Sequence, residues 1–127
     1  MGLNFSHGDA SWAYGGFHRF RIRLAEAIGI DLEKMIGFNQ KYVGDGKYVK
    51  TTENPLNWNT VKDDIKLLLN HSDCDGVLTP ENCRKVAFRL RELVRNWKDT
   101  DYDKINALEL AEGMEEAAEN DEIFEFL

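Results

Sequence analysis

The chain predicts a mainly α fold: a compact helical domain of about four helices with a small peripheral β-hairpin at about 41–50. Three observations carry that reading. Apolar residues recur at helical spacing through 9–28, 80–97 and 101–119. Helix punctuation falls between these stretches, with Gly29, Asp31 and the pair Thr79-Pro80 at the expected starts and stops. One segment breaks the helical period, the near-mirror K-Y-V-G-D-G-K-Y-V-K of 41–50. At 127 residues, 43% of them hydrophobic and 31% charged, the chain suits one domain spanning 1–127. A core of that size needs neither metal nor disulfide to hold it.

The first helix is expected over 9–28, with Trp12, Phe20, Ile22, Leu24 and Ile28 along one stripe and Asp9 or Ser11 as cap. Gly15-Gly16 predicts either a later start near Phe17 or a close backbone approach, since glycine inside a helix costs about 1 kcal/mol against alanine. Gly29 suits the left-handed residue after the helix, and Asp31 caps a short helix over 32–38. In 41–50 the turn G-D-G joins two strands that set Tyr42 and Tyr48 across from each other. Pro55 holds Asn54 out of helix, and a third helix follows over 60–69 with Val61, Ile65, Leu68 and Leu69 inward. Thr79 caps the next helix and Pro80 takes its first position; Val86, Leu90, Leu93, Val94 and Trp97 form its core face. The last helix, 101–119, offers Tyr102, Ile105, Leu108, Ala111, Met114 and Ala118. The tail Ile123-Phe124-Glu125-Phe126-Leu127 alternates well enough to dock or add a strand.

Charge is divided sharply. From Asp99 onward eleven acids face Lys104 alone, which puts 99–127 at −10; in a chain of net −7, residues 1–98 are then +3. The acidic helix and tail are expected to pack on this mildly basic body, pairing with the arginines of the first helix and with Arg84, Lys85, Arg89, Arg91 and Arg95. The acidic balance argues against general nucleic-acid binding, which runs on neutralising phosphates. No apolar run approaches the roughly 18 residues that cross a bilayer, so a cytoplasmic protein without membrane attachment is expected. No Walker loop, G-x-S-x-G or H-E-x-x-H is present. The neighbours Ser6, His7 and Asp9 have the residue types of a triad without its usual separation in sequence. A non-catalytic protein is the expectation.

Three constellations remain. His18, Arg19, Arg21, Arg23, Arg84 and Arg91 supply forked guanidinium groups suited to a small anionic or nucleotide-like ligand. Glu112, Glu115, Glu116 and Glu119 fall on one helical face and suit the basic surface of a protein partner. The loop 71–83 holds Asp73, Asp75 and Gly76 ahead of Glu81, similar to the middle of an EF-hand loop, but His71 and Asn82 occupy its first and twelfth positions. A calcium ion on Asp73, Asp75 and Glu81 is therefore one reading, and an Asx-type turn opening the next helix is the other. Zinc on Cys74, Cys83 and His71, or a disulfide between the two cysteines, are further alternatives. Eight residues separate the cysteines, more than structural zinc pairs usually allow. No other cofactor is implied.

The segments LLLNHSDCDGVLTPENCRKVAFRLREL at 67–93 and YDKINALELAEGMEEAAE at 102–119, with GLNFSHGDASWAYGGFHRFRIRLA at 2–25, resemble a family of small uncharacterised proteins of bacteria, phages and prophages. The resemblance implies an accessory protein of microbial or mobile-element origin and supplies no catalytic or ligand residues. Taken together these readings give a non-catalytic binding protein that acts through charged surfaces on a protein partner. The alternatives are a small anionic ligand on the arginine cluster and a divalent cation in the 71–83 loop.

Overall fold

The computed structural model describes residues 2–71 and 76–127. Four α-helices and three small antiparallel strand pairs occur among them, in the order β1 (Gly2–Leu3), β2 (Trp12–Ala13), α1 (Tyr14–Ala27), β3 (Gln40–Gly44), β4 (Lys47–Lys50), α2 (Lys66–Leu69), β5 (Val77–Leu78), α3 (Pro80–Val94), α4 (Tyr102–Glu119) and β6 (Phe124–Glu125). The helical class stands, with more strand than a lone hairpin: β1 pairs with β2, and β5 with β6.

Those extra pairs explain where the sequence reading placed helix ends wrongly. The first helix starts at Tyr14 rather than near residue 9, because Trp12 and Ala13 are held extended against Leu3 and Gly2. Neither Asp9 nor Ser11 caps it; Ala13 sits at the cap position without a side-chain bond. Gly15 and Gly16 lie in its first turn, where an added Cβ would meet little beyond the Arg19 guanidinium and, at Gly16, the Trp12 ring. The helix closes as expected: Gly29 takes φ +79°, and the amides of Gly29 and Ile30 reach back to the carbonyls of Glu26 and Ala25.

The helix expected over 32–38 is only a 3₁₀ turn, Leu32–Lys34, capped by the Asp31 carboxylate. Met35 then goes extended to bridge Leu56, a non-local contact that local propensity does not encode. Helix over 60–69 likewise shrinks to Lys66–Leu69, preceded by a 3₁₀ turn at Trp58–Thr60; Asp63 accepts the Ile65 N–H and starts the chain inward. The hairpin forms as read, with Tyr42 opposite Tyr48 and a register shift between Tyr42 and Gly44. Thr79 accepts the Asn82 amide and Pro80 opens α3.

Helices α3 and α4 form an antiparallel hairpin, the start of α3 lying beside the end of α4. Val86, Ala87, Leu90 and Val94 meet Ala107, Leu110, Ala111, Met114, Ala117 and Ala118 in one continuous core that also holds Phe17, Phe20 and Leu24 of α1. The expected inward face of α4 is correct at Ala111, Met114 and Ala118. It fails at the first turns, where Tyr102 and Ile105 are exposed. At that end of the helix Lys104, Asn106 and Ala107 are buried instead: the Lys104 ammonium donates to the Arg95 and Trp97 carbonyls, and the Asn106 amide to the Ser11 carbonyl. At Gly113 the N-terminal segment crosses α4, and an added Cβ would strike the His7 carbonyl.

The tail docks as a strand. Phe124 and Glu125 pair with Leu78 and Val77, Phe126 bridges Phe5, and both phenylalanines are buried. Phe5 stacks on Phe124 at 5.4 Å, while Trp12 stacks on Phe20 at 4.7 Å. An aromatic cluster thus ties both ends of the described chain onto α1.

Candidate partner-binding face

α3 carries two faces. Cys83, Val86, Ala87, Leu90 and Val94 point into the core. On the flank beside α4, Arg84, Phe88, Arg91 and Arg95 recur at spacings of four, three and four, which sets them in one row along the helix. Phe88 is 68% exposed in the middle of that row. It lies in an open groove of about 430 Å³ completed by Glu92 and Glu115.

Charge around the ring is ordered by α4. Arg91 makes a two-pronged pair with Glu115, at 2.8 and 2.7 Å, and this bond is the main cause that raises the Arg91 pKa. Arg84 donates to the Ala118 carbonyl at 2.9 Å, near the end of α4 where the helix dipole favours a cation. The Arg95 guanidinium makes no ion pair among the described residues; its carbonyl accepts from Lys104 and its amide donates to the Glu92 carbonyl. Beyond Glu115, the exposed carboxylates of Glu112, Glu116 and Glu119 continue outward on α4 and form no ion pair among the described residues. A row of arginines around an aromatic ring thus runs alongside a row of glutamates.

The six residues read from sequence as an anion site are held by different parts of the chain. Arg21 is buried, donates to the carbonyls of Leu69 and His71, and lies over the rings of Phe17 and Phe38 at 4.7 and 5.1 Å. Arg23 bridges Asp101 and Asp103, both at 2.9 Å, and sits 3.8 Å over Trp97. His18 stacks on Phe38 at 6.3 Å, and Arg19 is exposed at the start of α1. Residues two apart on a helix diverge, so the arginines of α1 do not converge on one ligand. Arg84 and Arg91 do come together, on α3. The expected pairing of basic body with acidic helix is seen at Arg23–Asp101, Arg23–Asp103 and Arg91–Glu115, whereas Arg89 turns instead to Asp63 at 2.8 Å.

Of the metal candidates, Asp73 and Asp75 lie outside the described residues, as does Cys74. Glu81 is exposed and 3.7 Å from Lys85. Among the described residues no group of three His, Cys, Asp or Glu side chains is placed to hold a metal ion. Cys83 is a free, buried thiol whose pKa burial pushes up to about 11; the zinc and disulfide alternatives both involve Cys74 and so lie outside the described residues.

The Ser6 hydroxyl and His7 Nδ1 are 2.7 Å apart, and His7 Nε2 is 3.3 Å from Glu122. These are the residue types of a hydrolytic triad, yet the contacts belong to a strand tie. Ser6 Oγ accepts the Glu125 amide at 2.8 Å, and the Ser6 amide donates to the Glu125 carbonyl at 3.0 Å. None of the described cavities is lined by Ser6 or His7.

Sequence reasoning missed Phe88. The signal was present as one apolar residue at helical spacing among arginines, off the core stripe of α3. Fold and face together define a small α-rich domain with an aromatic-centred, charged surface. No protein-family model matches the chain, and neither a curated protein nor a solved structure matches it. No helix among the described residues is long and apolar enough to cross a membrane.

Proposed function

We propose that the chain is a non-catalytic binding protein whose working surface is the outer face of the α3–α4 hairpin, engaging a protein partner. The observation that carries this reading is Phe88, a large aromatic side chain left in water within a ring of charge. Burying one such ring is worth about 1.5–3 kcal/mol, and aromatic and arginine side chains are the residues that most often dominate interface energetics. Phe88 supplies the anchor, Arg84 and Arg95 meet carboxylates of the partner, and Glu112, Glu116 and Glu119 meet its cations. Mixed charge of this kind gives orientation and specificity more than raw affinity.

A photo-crosslinking residue at position 88 tests the reading in an extract of the source cells. One defined protein is expected to crosslink, and its capture should fall in a variant carrying Arg84→Ser with Arg95→Ser, and in Glu112→Gln, Glu116→Gln, Glu119→Gln. Capture that ignores both sets of changes would remove the face from consideration. The same groove places three guanidinium groups, one of them paired with Glu115, beside an aromatic ring, so a small planar anion is the second reading. Native mass spectrometry of the purified protein separates the two: a retained small anion lost with Arg84→Ser supports the second.

A further inference from the structure

The β3–β4 ribbon differs from the other described strand pairs, each of whose strands has a buried residue. Gln40, Lys41, Tyr42 and Val43, and all four residues Lys47–Lys50, are exposed, so neither face is covered. Tyr42 is 56%, Val43 57%, Tyr48 64% and Val49 49% accessible. The tyrosine face overhangs an open cleft of about 500 Å³ lined by His18, Ile22 and Glu33. An isolated two-stranded ribbon is marginal in water and usually needs a third strand or a covering element.

Its geometry is nevertheless well determined from both ends. Asp45 and Gly46 take φ +53° and +71°, the turn class that matches strand twist. The Gly46 amide donates to the Tyr42 hydroxyl at 3.1 Å, and Tyr42 and Tyr48 pack at 5.3 Å. At the base, the Thr51 amide donates to Asn39 at 3.0 Å, the Thr51 hydroxyl reaches the Glu33 carbonyl, and Ile36 and Leu56 are bonded through their backbones. The ribbon is therefore a preformed arm.

Its two outer edges differ. In β3 the register shifts between Tyr42 and Gly44, and such a bulge spoils an edge for further pairing. β4 is regular and has no second neighbour among the described residues. Along it the chain reads Lys47-Tyr48-Val49-Lys50, two cations bracketing two apolar side chains. We propose that β4 is a strand-addition site for an extended acidic segment of a protein partner, of the pattern acid–apolar–apolar–acid, which would make a three-stranded sheet. The partner's backbone satisfies the open edge, its carboxylates meet Lys47 and Lys50, and its apolar residues cover Tyr48 and Val49. Charge excludes the same ribbon of a second copy, since lysines would then face lysines. A nucleic acid fits less well: three lysines and one aspartate in 40–50 offer little charge within a chain of net −7, and phosphates cannot pair with a strand edge.

The test uses the full chain, ¹⁵N-labelled, titrated with the capped peptide S-E-V-V-E-S, whose palindromic core suits either strand direction. Saturable shifts confined to residues 40–50, with slowed hydrogen exchange of β4 amides, are expected. Changing Lys47→Glu with Lys50→Glu should weaken binding about tenfold, as loss of two attractive cross-strand pairs and their replacement by repulsion requires. The peptide S-K-V-V-K-S should not bind. No saturable shift, equal binding of both peptides, or shifts without protection of β4 amides would each overturn the proposal. So would tighter binding of oligo-dT than of the acidic peptide at the same surface. The α3–α4 face plays no part in this outcome, so either assignment can fail without the other.

Discussion

Replacing Gly113 with alanine probes the point where the N-terminal segment crosses α4. On helix propensity alone the change is favourable by about 1 kcal/mol. The structure opposes it. The new Cβ would overlap the His7 carbonyl oxygen, lie 2.8 Å from the His7 carbonyl carbon and stand 3.2 Å from the Gly8 Cα. All three atoms are backbone, so no side-chain rotation relieves them. Gly8 itself is at φ +79°, with its own added Cβ 3.0 Å from the Glu109 carbonyl oxygen and 3.1 Å from the Gly113 Cα; the two glycines are each other's contact. Overpacking of this kind costs about 1–3 kcal/mol, and displacement of rigid backbone belongs at the upper end. After the propensity gain, a net loss of about 2 kcal/mol is expected. Gly15→Ala is the control, because its Cβ would meet only Arg19 Nη1 at 3.5 Å; it should stabilise by up to about 1 kcal/mol. Urea unfolding at unchanged m-value reads both. A neutral or stabilising Gly113→Ala would refute the crossing of the N-terminal segment over α4.

Arg21→Met keeps much of the packing but abandons the Leu69 and His71 carbonyls, and a loss of about 1–3 kcal/mol in chemical denaturation is expected. The hydrogen bond from Arg23 holds the Asp101 carboxyl below the usual carboxylate range. Its folded pKa is depressed, so its stabilising contribution is complete above the ordinary carboxylate value and lost as pH falls through the folded one. Thermal unfolding followed from pH 7 downward should show a smaller acid-induced loss in Arg23→Gln than in the parent over about pH 5 to 2; identical slopes would deny the coupling. In a Cys74→Ser background, iodoacetamide at about pH 8 should leave Cys83 unmodified until denaturant is added, since the thiol is buried with a pKa of about 11. Prompt labelling of the folded protein would show that the α3 core is open.

The most legible parts of the sequence were those in which neighbours decide the outcome. Thr79-Pro80 marks the start of α3 because both signals act within one turn, and Gly29 ends α1 for the same reason. The K-Y-V repeat around G-D-G gives a hairpin and its Tyr42–Tyr48 pair. The helices over 32–38 and 60–69 were misjudged because their apolar spacing is helical, while contacts such as Met35 with Leu56 hold part of that chain extended or in 3₁₀ turns. On α4, Tyr102 and Ile105 fit an inward face by period, yet Lys104, Asn106 and Ala107 are the residues buried there.

The surfaces follow the same division. Sequence alone determined that a mildly basic body and an acidic C-terminal segment share one chain, that Gly29 ends the first helix and Thr79-Pro80 opens α3, and that a basic-aromatic ribbon interrupts the helices. Each is a property of composition or of residues within a few positions. Tertiary structure decided which arginines are occupied and which groups remain open to water. Arg21, Arg23 and Arg91 look alike on paper; one is buried under carbonyls, one bridges two aspartates and one grips Glu115. Phe88 is an ordinary core residue by type and an exposed one by position. Charge pairing and exposure depend on which side of each helix the core claims, and that is settled by packing between distant segments.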